Sequence, residues 1–220
     1  PVRSPGARRP PVDFGLAAGS SGPAGALAGV NTKELQGELQ KAIDLANSGQ
    51  HDAAIAAYEA ILAKTPALTM INGQIAQVKR LKKDYDGAIA SYQKVIAADP
   101  NNDKAKIEIG MTYLEKGDFA NAEKSLMEVA SSVNASREVF YNLGEVKFAK
   151  GETDEAVKYY QRATDMDATW GKPLFKLGLA KLQKADTAGA IEYMNKVIAA
   201  DPNSAQAAQA KGLIEQLKKG

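Results

Sequence analysis

The sequence predicts an all-α fold: a linear solenoid of helical hairpins behind an extended N-terminal arm. Three observations carry that prediction. The string Lys-Val-Ile-Ala-Ala-Asp-Pro-Asn occurs at 94–101 and again at 196–203, an offset of 102 residues, or three steps of 34. Stepping by 34 from Ala54 lands on Ala88, Ala122, Ala156 and Ala190 with no insertion between them. The composition is rich in alanine and holds only 6% aromatic residues, which favours helix over strand. A fixed period of this length marks a repeat array in which each unit packs on its neighbours, so function is carried by surfaces.

The elements follow in chain order. Residues 1–34 form the arm, with Pro1, Pro5, Pro10, Pro11 and Pro23, six glycines by residue 30 and scattered apolar points at Phe14, Leu16, Leu27 and Val30. Such a stretch cannot bury enough apolar surface to fold alone. Five units then run over 35–68, 69–102, 103–136, 137–170 and 171–204, and residues 205–220 make a last, lysine-ended helix suited to cap the array.

Within each unit a first helix is predicted to stop near Gly49, Lys83, Gly117, Gly151 or Ala185, glycine supplying the left-handed C-cap in three of the five. A polar residue follows: Gln50, Asp84, Asp118, Glu152 or Asp186. The second helix carries apolar residues at helical spacing, such as Ala88, Ile89, Tyr92, Val95 and Ile96. It ends where proline drives the preceding residue out of the helical region, at Thr65-Pro66, Asp99-Pro100 and Asp201-Pro202. Unit three ends in Ser131-Ser132-Val133-Asn134 and unit four in Asp167-Ala168, both without proline, and an altered turn is expected at each.

This pattern resembles the tetratricopeptide repeat over residues 35–204. The small residue of the first helix is Ala42, Ala76, Gly110, Gly144 and Gly178, and that of the second is the alanine series above. The bulky position of the second helix is Tyr58, Tyr92, Leu126, Tyr160 and Met194, followed by Ile61, Val95, Val129, Ala163 and Val197. The aromatic position early in the first helix departs from the family pattern in Glu38, Asn72 and Lys106, and is bulky only in Phe140 and Leu174. The resemblance implies a right-handed superhelix whose first helices line a concave, partner-binding groove.

Composition narrows the function classes. Arg3, Arg8 and Arg9 against Asp13 supply the whole formal net charge of +2, and the rest of the chain balances 25 basic against 25 acidic residues. A balanced body lacks the concentrated basic face that nucleic acid requires. No apolar run approaches the ~20 residues of a membrane span. Cysteine is absent, removing disulfide, thiolate and cysteine-metal chemistry. The chain starts at Pro1, and with the lack of cysteine this favours an exported, periplasmic or extracellular, protein over a cytoplasmic one.

No reaction centre can be assembled. His51 is the sole histidine, placed where other units carry Tyr85 or Phe119, so no metal site or nucleophile-base pair includes a second one. The glycines between Gly15 and Gly25 precede no predicted strand, leaving a nucleotide loop unsupported. Asp84 and Asp86 recur as Glu152 and Asp154, which reads as repeat structure with acids at helix N-termini. Lys79, Arg80, Lys82 and Lys83 form the densest basic cluster and read as a solvated helix end. The chain is therefore expected to be no enzyme, with no catalytic residue, metal or cofactor.

Carried onto the repeat positions, the resemblance places Leu39 and Ile43, Gln77 and Arg80, Ile107, Met111 and Leu114, Tyr141, Glu145 and Phe148, then Phe175, Leu179 and Leu182 in the groove. That set is strongly apolar, and Ile43 and Met111 stand where some relatives use polar residues to clamp an acidic C-terminus. The expected function is a protein-interaction scaffold that receives an extended or helical segment of a protein or peptide. The alternative is a self-assembling structural subunit, a homo-oligomer or filament, in which Phe14, Leu16, Leu27 and Val30 of the arm dock on the neighbouring copy.

Overall fold

The computed structural model describes residues 32–219, and residues 1–31 of the expected arm, with its four apolar contact residues, lie outside them. Eleven α-helices and no strand occur among the described residues. They pair as α1 (Thr32–Asn47) with α2 (His51–Lys64), α3 (Ile71–Leu81) with α4 (Tyr85–Ala98), and α5 (Asp103–Lys116) with α6 (Phe119–Ala130). The series continues with α7 (Arg137–Ala149) and α8 (Thr153–Met166), then α9 (Gly171–Gln183) and α10 (Thr187–Ala200), closed by α11 (Ala205–Leu217). Each helix packs on the next in sequence, and α11 lies against both α10 and α9, as the cap of an array should. The first helix claims residues 32–34, so its boundary falls three residues before the expected one, and Leu35 is already core.

Each hairpin closes through the small residue of its first helix. A Cβ added at Gly110 would sit 2.6 Å from Leu126 Cγ, one at Gly144 2.4 Å from the Tyr160 ring, and one at Gly178 2.6 Å from Met194 Cε. The pairing of a small residue with a bulky buried one thus sets the distance between helices. Between hairpins the filling is aliphatic: Ile61 of α2 meets Ile71, Ile75 and Val78 of α3 in one cluster, and Val129 of α6 meets Val139 and Leu143 of α7 in another.

The turns inside hairpins follow local chemistry. Asp84, Asp118 and Asp186 accept hydrogen bonds from the backbone N–H of Gly87, Asn121 and Gly189 respectively, capping α4, α6 and α10. Gln50 and Glu152, one methylene longer, make no such bond. Gly49, Gly117 and Gly151 take positive φ, and so do Lys83 (62°) and Ala185 (57°) at the equivalent points.

The two turns lacking proline differ from each other. After α8, Asp167 accepts from the Thr169 N–H at 2.9 Å, as Asp99 does from Asn101 and Asp201 from Asn203, so this turn is not altered. The aspartate side chain organises it, and proline is dispensable. After α6 the C-cap Ser131 stays in the helical region, and the following Val133 is fully exposed at 101%, so here the altered turn is found.

Candidate interaction groove

Three successive first helices and the turn before α9 enclose a cleft of about 450 Å³. From α3 come Gln77, Arg80 and Leu81, from α5 Glu108, Met111 and Glu115, and from α7 Glu138, Tyr141 and Asn142. Trp170 and Lys172 close one side at the start of α9. These side chains converge because residues three and four apart share a helix face: Glu108, Met111 and Glu115 are one such row.

Salt links order the cleft. Arg80 donates through Nε to Glu115 at 3.1 Å, holds the same carboxylate with a second nitrogen, and also pairs with Glu108. Arg137, at the start of α7, pairs with Glu138 and with Asp167 of the turn after α8, and its guanidinium lies 4.8 Å over the Trp170 ring. Tyr141 stacks obliquely on Trp170 at 5.1 Å and on Tyr160 at 5.8 Å. The Tyr92 hydroxyl is buried beside Arg80 and Glu108 without a well-aligned hydrogen bond, and burial followed by the nearby Glu108 charge pushes its pKa up.

Of the residues expected in the groove, Gln77, Arg80, Met111 and Tyr141 line this cleft. Leu39 is 3% exposed and belongs to the core, and Ile43, Ile107, Leu114, Phe148, Phe175 and Leu179 are half-buried against core clusters. Leu182 is half-buried as well. Glu145 is engaged from two sides, by the Tyr160 hydroxyl at 2.5 Å and Lys176 Nζ at 2.8 Å. The lining is therefore mixed and heavily charged where an apolar strip was expected, because most of the aliphatic positions are used to pack one hairpin on the next.

Leu81, Glu108, Glu115, Glu138, Asn142, Trp170 and Lys172 also line the cleft and stand outside the expected set. Glu108 and Glu115 could have been found from Met111 by steps of three and four, and Glu138 likewise from Tyr141. Trp170 sits in a turn, and no helical period points to it.

The basic cluster of α3 is dispersed around the helix. Lys79 reaches Ser91 at 3.3 Å, Lys82 pairs with Asp52, and Arg80 enters the cleft. The pair Lys82–Asp52 recurs as Lys116–Asp86 and Lys184–Asp154, each spanning 30 residues and joining consecutive units. The repeated acids thus serve as inter-repeat ion partners. Among the described residues no group of three or more His, Cys, Asp or Glu is arranged to hold a metal. No described helix is long and apolar enough to cross a membrane.

Comparison with known proteins covers the same span. Tetratricopeptide-repeat family models match residues 39–103, 80–143, 138–169 and 174–204. A crystal structure of MamA is 34% identical, with a TM-score of 0.53, over 66% of this chain and 89% of that one. PilF of Pseudomonas aeruginosa is similar in fold alone, at 16% identity and a TM-score of 0.65 over 84% of this chain and 89% of that one. The same holds for YrrB, described as a TPR protein with an unusual peptide-binding site, at 19% identity and a TM-score of 0.54 over 83% of this chain and 94% of that one. No curated protein sequence matches the chain.

Proposed function

Because the chain belongs to the tetratricopeptide-repeat family, we propose that it is a non-catalytic interaction scaffold whose concave groove binds an extended or helical segment of another protein. The observation that carries this reading is the cleft of about 450 Å³ crossing α3, α5 and α7, with aromatic, aliphatic and charged groups converging on one line. Ligand sites of this size combine apolar walls with a few placed polar groups. A photo-crosslinking residue at Met111 should trap a partner segment that the same residue at Glu128, exposed on α6, does not. The trapped segment, prepared alone, should bind the chain by calorimetry and be lost on Met111→Glu. Equal trapping at both positions, or none at either, would remove the groove from consideration.

A second reading, self-assembly through the arm, has one observation in its favour. The entire net charge of +2 resides in residues 1–31, while the body is balanced. An arm that docks on the next copy makes a head-to-tail contact, which propagates unless it closes into a ring. Light scattering after size exclusion tests it: large species formed by the full chain should vanish when residues 1–31 are removed, and their persistence would count against the arm.

A further inference from the structure

On the reading that the groove is the docking surface, we infer that its cleft selects an extended segment of a partner protein that carries a lysine or arginine beside an aliphatic side chain. The charge pattern points that way. Arg80 is shared by Glu108 and Glu115, and Arg137 by Glu138 and Asp167. Arg137 and Asp167 stand outside the lining itself; among the charged groups that line the cleft, Glu108, Glu115 and Glu138 outnumber Arg80 and Lys172 three to two, which leaves one surplus negative charge.

The carboxylates nearest solvent are Glu115 and Glu138, with side chains 41% and 46% exposed, so an incoming cation reaches them without displacing either arginine. A carboxylate guest would meet three like charges, with the Arg80 fork already engaged. For the aliphatic neighbour the cleft offers Leu81, 51% exposed, together with Met111, and Tyr141 gives the cation an aromatic wall, the Trp170 ring being already covered by Arg137.

The test is selection from a bead library of nonapeptides, randomised at five central positions, by the full chain. Retained peptides should be enriched in lysine or arginine next to leucine, isoleucine, valine or methionine. Affinity of a selected basic peptide should fall about tenfold in Glu115→Gln/Glu138→Gln and weaken with added salt. It should rise about threefold in Lys172→Glu, which leaves the arginine triads intact.

Retention of peptides without charge preference, still abolished by Met111→Glu, would overturn the cationic selectivity and leave the groove standing. Enrichment of acidic peptides would overturn it in the same way. No retention above an inert control would overturn both. Displacement of the selected peptide by a synthetic segment of residues 1–13 at equal affinity would replace the foreign partner by a second copy.

Discussion

The hydroxyl of Tyr160 donates a 2.5 Å hydrogen bond to Glu145, fifteen residues earlier on the paired helix. Two units upstream the equivalent hydroxyl, on Tyr92, lies by Arg80 and Glu108 without a well-aligned hydrogen bond. Two tyrosines at one repeat position are therefore expected to differ in what their hydroxyls contribute. Tyr160→Phe should lower stability by about 1.5 kcal/mol, since it removes a bond to a charged acceptor. Tyr92→Phe should be neutral or slightly stabilising, since it removes a desolvated group that lacks a well-aligned hydrogen bond. Urea unfolding of both variants decides it, and equal losses would refute the contrast.

A glycine-to-alanine pair separates packing from propensity. Alanine is the better helix former by about 1 kcal/mol. At Gly144 the new Cβ would lie 2.4 Å from a Tyr160 ring that is fully buried and anchored through its hydroxyl. Overpacking there should win, at a net cost of about 1–3 kcal/mol. At Gly212, inside α11, nothing lies within 4 Å of the new atom, and Gly212→Ala should raise stability by about 0.5–1 kcal/mol. Melting temperatures moving in opposite directions are expected, and a destabilised Gly212→Ala would mean that α11 is not packed as described.

The ease of reading this fold in the sequence has a physical source. Pairs such as Gly110 with Leu126 or Gly178 with Met194 are dictated inside one hairpin by helix contact, so the period alone exposes them. The turn after unit four differs from its expectation because proline does not cause such a turn: Asp167 bonding to Thr169 forms the same turn as Asp99 and Asp201 do with their asparagines. The groove was only half legible. Positions such as Leu39 and Ile107 face the groove side of a first helix in the repeat register, yet Leu39 is taken into the core and Ile107 is half-buried against the neighbouring cluster. Which carboxylates meet Arg80 depends on the offset between α3 and α5, a distance that no single-helix pattern contains.

Where the first helix of a unit ends, two non-glycine residues hold left-handed backbone: Lys83 at φ 62° and Ala185 at φ 57°. A Cβ in this region costs about 1–2 kcal/mol, part of which glycine returns as entropy of the unfolded chain. Ala185→Gly should therefore stabilise the chain by about 0.5–1 kcal/mol, and Gly117→Ala, at φ 84°, should destabilise it by about 1 kcal/mol. Denaturant midpoints report both signs, and a loss on Ala185→Gly would show that the turn draws on the alanine methyl.

Acid should loosen the joint between units three and four first. Glu123 of α6 accepts from Lys147 at 2.7 Å and from Lys150 at 2.8 Å, and both lysines also hold Glu152. Those bonds keep the Glu123 and Glu152 carboxyls below their ordinary value of 4.5. A carboxyl whose pKa is lower in the folded state binds fewer protons there than in the unfolded chain, so acidification favours unfolding. The stabilisation is complete above about pH 4.5 and is lost as the pH falls through the depressed folded values. Urea midpoints should thus be level from pH 7 to 5 and drop steeply toward pH 3. Glu123→Gln/Glu152→Gln should start lower at pH 7 and fall less steeply, Asp118 and Asp186, also held down by their hydrogen bonds, keeping part of the slope. An unchanged slope in the double variant would mean that the two lysines do not hold this joint in solution.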